Sequence, residues 1–379
     1  MAKKLRVGII FGGRSGEHDI SIRSAASVIE SIDRKKYDVV PVAISREGKW
    51  LSPADAFQLL PANTQSLLPT KLGFASRDAV AILGDPSHTG LLSLNRKGGT
   101  SNSQKLDVVF PVLHGPFGED GTIQGLLEMA NIPYVGCGVL ASSCGMDKVA
   151  MKLLFLQAGL PMCNYVWFLR SHWQSDRARI MKTITHKLDL PYFVKPANLG
   201  SSVGVSRADD NASLERAVEL AAQYDRKIVV EEAVDAREIE CAVIGNNEPK
   251  ASLPGEYVIH DKSAAFLDYT EKYTKTGHVE FVVPAPVSKS LATRIQKMAI
   301  QAFQSIDGSG LARVDFFLTR DSKQLLVNEL NTMPGLTEVS GYPKMWAASG
   351  LSYTRMLDVL IDLALERHRE KSLNKTTRA

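Results

Sequence analysis

Polar residues alternate with apolar ones in two short runs near the end of the chain, Arg313-Val314-Asp315-Phe316 and Val327-Asn328-Glu329-Leu330-Asn331. If these runs are strands joined by a turn centred on Ser322, Asp315 lies opposite Glu329 and Arg313 lies opposite Asn331, and all four share one face. Two carboxylates and an amide oxygen beside a guanidinium suit a hard cation such as Mg²⁺, which commonly bridges to phosphates. The alternative is the solvated face of an antiparallel ribbon.

A glycine-rich segment from Lys195 to Val205 lies between two runs that read as strands. Its small residues would let backbone N–H groups approach phosphate oxygens closely, while Lys195 supplies a positive charge. The segment lacks the Gly-Lys-Ser/Thr end of a Walker A loop. We interpret it as a phosphate-binding flap, with a plain Gly/Ser hairpin as the alternative.

A glycine turn, Gly12-Gly13-Arg14-Ser15-Gly16-Glu17-His18, follows the first apolar run and precedes a helix. Its spacing is not that of a dinucleotide-binding turn, and Ser45-Arg46 rather than an acidic residue follows the next strand. The turn could still offer backbone N–H groups to an anion. Glu17 could receive an ammonium group, or it could simply offset the helix dipole.

Two more candidate segments stand at predicted strand ends. Residues 114–121, beginning with His114, follow a buried strand, and open α/β sheets bind ligands there; an ordinary turn is the alternative. Glu231 and Glu232 end another apolar strand. They could accept hydrogen bonds from the amino group or ribose of a nucleotide, or they could be a solvated strand end.

The first part of the chain must position Glu17 and His114. Residues 7–11 predict a buried strand, residues 21–32 a helix and residues 39–44 a second strand. This order is a βαβ beginning, which indicates a parallel sheet.

Two further regions carry the remaining candidates. Strands at 193–195 and 227–231 flank a helix at 214–222 and predict a small α+β unit, whereas the hairpin and a helix over 351–369 belong to a third region. The length of 379 residues also favours two or three domains. We predict domains at residues 1–140, 141–235 and 236–379.

Composition narrows the classes of function. The chain is 44% hydrophobic and 23% charged, which is ordinary for a globular protein, and its mild net charge of +4 suits a site for anionic small molecules. It has no basic arm of the kind that nucleic-acid binders show. No segment reaches the length of a spanning helix. The apolar run at residues 7–11 is too short for the apolar part of a signal peptide. The four cysteines show no paired spacing, so we expect them to be buried free thiols. Together these features predict a cytoplasmic protein without a membrane partner.

Three motifs in this order resemble the ATP-grasp D-alanine:D-alanine ligases along nearly the whole chain. They are Gly12-Gly13-x-Ser15-x-Glu17-His18-x-x-Ser21, His114-Gly115-x-x-Gly118-Glu119-Asp120-Gly121 and Asn331-Thr332-x-Pro334-Gly335. The resemblance implies a three-domain α/β and α+β ATP-grasp architecture, and a homodimer. It also implies ATP-dependent ligation of two D-alanine molecules for peptidoglycan precursor synthesis.

The resemblance also implies positions for ATP and metal. Phosphates would contact Lys148 and Lys195, the adenine edge would lie at Glu231 and Val234, and Glu238 would hold the ribose. The metal ligands would be Asp315, Glu329 and Asn331, binding two Mg²⁺ ions for which Mn²⁺ can substitute.

Roles toward D-alanine follow from the same resemblance. Glu17 would bind the ammonium of the first D-alanine, and Ser201 and Tyr273 would form a hydrogen-bonded link to Glu17. His114 would border this substrate. Lys272 would meet the transferred phosphate, and Ser340 would receive the carboxylate of the second D-alanine. Arg313 and the Gly335 N–H would donate hydrogen bonds to the oxyanion of the tetrahedral intermediate.

The resemblance further implies an acyl phosphate intermediate. Tyr273 favours amide formation, because ligases that use D-lactate often carry Phe there. Thr274-Lys275-Thr276-Gly277 matches no pattern in the family, and Gly341 stands where some members carry Leu. The alternatives are a D-alanine:D-lactate ligase and a regulatory nucleotide-binding module that has lost turnover.

Overall fold

A computed structural model describes residues 3–69, 73–94, 103–200, 203–259 and 279–375 of the chain. Within these ranges the strands form four sheets, three of which carry the candidate residues. None of the helices in the described ranges is long and apolar enough to cross a lipid bilayer.

The N-terminal region is built on a parallel sheet. Its elements in chain order are β1 (Leu5–Gly12), α1 (His18–Ser31), β2 (Tyr37–Ile44), β3 (Trp50–Leu51), α2 (Pro53–Gln58), α3 (Ala62–Gln65), β4 (Val80–Ile82), β5 (Gly90–Ser93), β6 (Ser103–Lys105), β7 (Val108–Pro111) and α4 (Thr122–Met129). The main sheet has the order β3-β2-β1-β7, in which β1 lies parallel to both β2 and β7. The predicted βαβ unit is confirmed, although α1 begins at His18, three residues before the predicted start.

The central region forms a small antiparallel sheet with the order β10-β9-β11-β8. Its elements, with two helices that precede them, are α5 (Val139–Met146), α6 (Lys148–Gln157), β8 (Tyr165–Leu169), α7 (Arg170–Ser175), α8 (Arg177–Lys187), β9 (Tyr192–Pro196), β10 (Ser206–Ala208), α9 (Asn211–Tyr224) and β11 (Lys227–Glu232). The strands predicted at 193–195 and 227–231 are therefore neighbours in this sheet.

The C-terminal region forms a larger antiparallel sheet with the order β15-β14-β12-β16-β17, and β13 pairs with β12. Its elements are β12 (Ala236–Gly245), β13 (Lys250–Ala251), β14 (Gly255–Ile259), β15 (Val279–Val282), α10 (Lys289–Ser305), β16 (Gly310–Thr319), β17 (Leu325–Asn331), α11 (Gly341–Ala348) and α12 (Tyr353–Lys371). The predicted hairpin is β16 and β17, and β16 also pairs with β12 along its whole length.

The hydrophobic cores combine residues from regions that are distant in sequence. Leu357, Leu360 and Ile361 of α12 are fully buried in one cluster with Val7 and Ile9 of β1. The last helix therefore covers one face of the first sheet. The predicted domain bounds stay a prediction, since the clusters join segments that are distant in sequence.

Helix α6 likewise packs away from its sequence neighbours. Met151 and Phe155 on this helix are buried against Val314 and Phe316 of β16. This contact carries the beginning of α6, with Lys148, to the edge of the polar hairpin face.

Candidate active site

The hairpin pairs the candidate metal ligands as the alternation predicted. Asp315 lies opposite Glu329 and Arg313 lies opposite Asn331 in the β16–β17 ladder. All four side chains are half-buried, whereas the intervening Val314 and Leu330 are buried. The alternation therefore separates an apolar core face from a face with two carboxylates, an amide and a guanidinium.

The strand register near the loop, however, differs from the prediction. Near the loop Leu318 pairs with Leu325 and Phe316 pairs with Val327, so the turn is not centred on Ser322. The register then shifts by one residue between Phe316 and Asp315, leaving Asn328 as the extra residue of a β-bulge. Bulges re-aim side chains, and this one brings Glu329 in line with Asp315.

Arg313 is held between two carboxylates. Its Nε and Nη2 donate to the two carboxylate oxygens of Asp315, each at 2.6 Å. Its Nε also lies 3.2 Å from Oε1 of Glu240, a buried residue of β12 that pairs with Asp315 across the ladder. Burial alone would lower the pKa of Arg313, but Asp315 and Glu240 raise it well above its ordinary value, so the guanidinium stays charged.

The donor set on this face fits a hard divalent cation. Asp315, Glu329 and Asn331 offer only oxygens, which is the ligand type that Mg²⁺ prefers. Asn331 Oδ1 accepts a hydrogen bond from the Met333 N–H at 2.9 Å, which fixes the amide oxygen. Across the described part of the chain no group of three His, Cys, Asp or Glu residues is arranged to hold a metal.

Lys148 connects the hairpin face to the glycine-rich segment. Asp147 caps α6 by accepting hydrogen bonds from the N–H groups of Val149 and Ala150 at 3.0 and 3.1 Å, which starts the helix at Lys148. Lys148 Nζ donates to the carbonyl of Leu199 at 2.7 Å and lies 3.8 Å from Glu329 Oε2. A positive charge therefore stands where the flap and the carboxylates meet.

Lys195 and Glu231 are neighbours on adjacent strands of the central sheet. Lys195 Nζ donates to Glu231 Oε2 at 2.7 Å, and the Nζ of a second lysine, Lys152 on α6, lies 2.9 Å from Glu231 Oε1. Burial alone would raise the pKa of Glu231, but the two ammonium groups hold it well below its ordinary value. Burial alone would lower the pKa of Lys195, but Glu231 and Glu329 raise it. All three groups therefore remain charged.

The two other residues predicted for nucleotide contacts lie where the central sheet passes into the C-terminal sheet. Val234 is half-buried in the connection between β11 and β12, just after Ala233, whose N–H donates to the carbonyl of Pro191 at 2.9 Å. Glu238 is half-buried on β12 opposite Phe317 of β16. Both residues thus flank the junction that Lys148 also reaches.

Glu17 brings the N-terminal turn into this assembly. A Cβ atom added at Gly115 would lie 3.0 Å from Glu17 Oε2, and one added at Gly200 would lie 3.4 Å from the same oxygen. The carboxylate is therefore adjacent both to the turn after β7 and to the glycine-rich segment. Ser15 supports the arrangement, because its Oγ donates to the carbonyl of His114 at 2.8 Å.

His114 joins the N-terminal turn to the segment after the hairpin. Its Nδ1 lies 3.1 Å from the carbonyl oxygen of Met333 and 3.7 Å from Glu119 Oε1, and its Nε2 lies 3.1 Å from Ser24 Oγ. Burial alone would lower the pKa of His114, but Glu119 and then Glu17 raise it. The imidazole thus has a fixed orientation beside Glu17.

Gly335 and Ser340 face one another after the hairpin. A Cβ atom at Gly335 would lie 2.9 Å from Ser340 Oγ, and Thr337 Oγ1 lies 2.6 Å from the same hydroxyl. Ser340 immediately precedes α11. A Cβ atom at Gly341 would lie 2.6 Å from Glu240 Oε2, so the glycine that departs from the family pattern makes room for the carboxylate beside Arg313.

The structure adds three residues that the sequence analysis did not assign: Lys152, Glu240 and Glu119. Lys152 follows Lys148 by four residues on α6, and Glu240 follows Glu238 by two on β12, so helical and strand periodicity could have pointed to both. Ser201, Lys272 and Tyr273, three of the predicted site residues, lie outside the described residues.

Comparisons with known proteins show which family this chain resembles. Family models described as the N-terminus and the C-terminus of D-ala D-ala ligase match residues 6–137 and 154–362. A D-alanine–D-alanine ligase of Natranaerobius thermophilus is 45% identical over 374 residues, covering 99% of this chain and 98% of the relative. One of Heliobacterium modesticaldum is 46% identical over 375 residues, with the same coverage.

Solved structures of similar proteins share the fold. The VanG D-Ala:D-Ser ligase of Enterococcus faecalis has a TM-score of 0.82 at 36% identity, covering 96% of this chain and all of that chain. The D-alanine-D-alanine ligase of Coxiella burnetii has a TM-score of 0.79 at 36% identity, covering 98% of this chain and 97% of that chain.

Proposed function

Because the chain belongs to the D-alanine–D-alanine ligase family, we propose that it joins two D-alanine molecules at the expense of ATP, giving the dipeptide for peptidoglycan precursors. The prediction of an ADP-forming ligase with the ATP-grasp fold is confirmed at the level of the family. A regulatory module that has lost turnover is disfavoured, since Asp315, Glu329, Asn331 and Arg313 are all present on one face.

The observation that carries the proposal is the position of Lys148. Its ammonium lies between the carbonyl of Leu199 in the glycine-rich segment and the Glu329 carboxylate of the hairpin. A nucleotide whose phosphates lie under the flap would reach Lys148 and Lys195, and a metal bridging those phosphates would reach Glu329 and Asp315. One nucleotide with its metal could thus contact the glycine-rich segment, the two lysines and the carboxylates of the hairpin.

Use of ATP and a divalent metal is implied by the family, and the finer assignments are ours. We place the phosphates at Lys148 and Lys195, the adenine edge at Glu231 and Val234, and the ribose at Glu238. Two Mg²⁺ ions, or Mn²⁺ in their place, would be held by Asp315, Glu329 and Asn331. When bound, they would neutralise charge on the transferring phosphoryl oxygens.

The residues of the N-terminal region would hold the first D-alanine. Glu17 would receive its ammonium, with His114 at its border and with Ser201 and Tyr273 as a hydrogen-bonded link. The substrate carboxylate is then free to attack the γ-phosphate, and Lys272 would meet the transferred group. The resulting acyl phosphate hydrolyses readily, so the site has to exclude water.

The segment after the hairpin would hold the second D-alanine. Ser340 would receive its carboxylate, which orients the amine toward the acyl carbonyl. Arg313 and the Gly335 N–H would donate hydrogen bonds to the developing oxyanion. Arg313 suits this role because Asp315 and Glu240 keep it charged and fixed in direction.

Three further statements belong to the proposal. The enzyme works as a homodimer, in the cytoplasm, and on small molecules rather than nucleic acid. They rest on the family resemblance and on composition, and size-exclusion chromatography with light scattering tests the first of them.

Phosphate release from ATP tests the proposed reaction. With purified protein and Mg²⁺, release is expected with D-alanine and not with L-alanine, and mass spectrometry should detect the D-alanyl-D-alanine product. Parallel reactions pair D-alanine with D-serine or D-lactate. Product formed only when D-lactate or D-serine is supplied would reject D-alanine as the second substrate.

A further inference from the structure

Lys152 is among the largest fully buried side chains of the protein, with 1% of its surface exposed. Lysine is almost never fully buried unless it is paired. Its Nζ lies 2.9 Å from Glu231 Oε1, 4.0 Å from Cys163 Sγ and 5.3 Å from the ring centroid of Tyr165. The carboxylate of Glu231 is thus the charged partner that balances it.

Glu231 is shared by two lysines that differ in exposure. Lys195 reaches its Oε2 with a side chain that is 13% exposed, whereas Lys152 approaches Oε1 with one that is 1% exposed. Oε1 is fully buried and faces the Lys152 ammonium at ion-pair distance, so its charged partner comes from the core side. The carboxylate therefore has one partner toward the open side and one toward the core.

This arrangement matters because a buried carboxylate that loses its only counter-charge becomes costly. If Lys195 turns from Glu231 to a nucleotide phosphate, Lys152 still compensates the carboxylate from the core side. Glu231 then keeps its position, and Oε2, the oxygen that Lys195 leaves, can accept a hydrogen bond from a ligand. With two lysines, the carboxylate keeps a full ion pair even when Lys195 directs its N–H groups to phosphate.

We propose that Lys152 is a positioning residue, which fixes the Glu231 carboxylate to accept a hydrogen bond from the exocyclic amine of adenine while Lys195 binds phosphate. This role rests on the proposed function, since it assumes that ATP binds beside Glu231. It extends that function by assigning base selectivity to a residue that does not touch the nucleotide. Guanine carries a carbonyl oxygen at the corresponding position, which a carboxylate disfavours.

Binding of ADP and of GDP, each measured by isothermal titration calorimetry, tests the role without turnover. In the Lys152→Met variant the preference for ADP over GDP is expected to fall by about tenfold, the value of one hydrogen bond to a charged group. In a Glu231→Gln background the same substitution should change the preference less than about threefold, because the two residues act as a unit. A merely structural lysine would give the same fold-change in both backgrounds.

A matched control is Lys36→Met. Lys36 Nζ lies 2.6 Å from Asp358, whose side chain is 6% exposed and which also pairs with Arg355, so this variant likewise removes one of two cationic partners of a buried carboxylate. It should leave the preference for ADP unchanged. If Lys152→Met does not fold, Lys152→Gln keeps a polar side chain at the position and serves the same comparison.

The outcomes separate this role from the proposed function. Equal affinity of the unaltered protein for ADP and GDP would overturn both the nucleotide placement and the role of Lys152. A preference for ADP that persists in the Lys152 variants, or that falls equally with and without Glu231, would overturn the role of Lys152 alone.

Discussion

Asp315 faces Glu329 across the hairpin because the chain places Asn328 in a β-bulge between them and the loop. The pairing of Leu318 with Leu325, continued without the bulge, would set Asp315 opposite Asn328 instead. The two carboxylates therefore depend on one extra residue for their common position. Glu329, which follows the bulged residue, lies 3.8 Å from the ammonium of Lys148.

The role of Glu329 predicts the effect of its amide variant. Glu329→Gln should lower phosphate release by at least about a hundredfold, because it removes a charged metal ligand while conserving shape. Thermal unfolding should change little, since the side chain is half-buried and outside the core. Glu248→Gln, at an exposed position, is the control and should keep full activity. Near-normal turnover of the Glu329 variant would contradict the metal assignment.

The space at Gly341 predicts a second loss of activity. A Cβ atom there would lie 2.6 Å from Glu240 Oε2 and 2.9 Å from the Phe281 ring, so Gly341→Ala should push Glu240 away from Arg313. We expect kcat to fall by about tenfold, since the oxyanion donor loses part of its support. Gly125→Ala is the control, because its added Cβ meets nothing within 4 Å. Steady-state kinetics that show equal kcat for both variants would refute the link between Glu240 and Arg313.

The pKa of Glu231 predicts how stability depends on pH. Because its folded-state pKa lies well below the ordinary value of 4.5, the unfolded chain binds the proton more readily. The stabilisation from this ionised carboxylate is therefore fully present above pH 4.5 and is lost as pH falls further toward the folded-state pKa. Urea unfolding at pH 7 should show Glu231→Gln destabilised by about 3 kcal/mol. The difference from the unaltered protein should shrink below pH 4.5, and a difference that grows on acidification would contradict the ion-pair account.

Arg367 of α12 predicts a stability effect far from the chemistry. Its guanidinium donates to the carbonyl of Tyr134 at 2.8 Å, to that of Gly136, and to Ser309 Oγ at 2.7 Å, and it stacks on the Tyr134 ring at 4.3 Å. Arg367→Ala should destabilise the protein by about 3 kcal/mol, because partly buried carbonyls lose a charged donor. Arg367→Lys should restore less than half of this, since an ammonium cannot reproduce the planar fork. Chemical denaturation of the three proteins measures both values, and full rescue by lysine would show that charge alone suffices.

The hairpin face could be predicted from sequence because strand alternation is a local rule. Arg313, Asp315, Glu329 and Asn331 stand at alternating positions, and that was enough to place them on one face. The bulge at Asn328 could not be predicted, and the symmetrical turn at Ser322 gave the right pairing because two one-residue differences cancel. Local pattern fixed the face, whereas the detailed register depended on packing.

Lys152 and Glu240 show where sequence reasoning stops. A lysine on a helix is usually a solvated residue, and only the packing of α6 between the central and C-terminal sheets turns Lys152 toward Glu231. Glu240 meets Arg313 through the pairing of two strands that are separated by most of the C-terminal region. Spacing along the chain could have pointed to both residues as candidates, but the partners that they contact are brought to them by tertiary packing and do not follow from spacing.

The packing of α12 on β1 means that the first strand of the protein is completed by one of the last helices to leave the ribosome. Until Tyr353–Lys371 emerges, the apolar side of that early sheet is covered by α1 but lacks the part of its cover that this helix supplies. A nascent chain stalled in the C-terminal region would therefore expose apolar surface that chaperones bind. The core around the first sheet of the ligase is complete only when α12 packs on it.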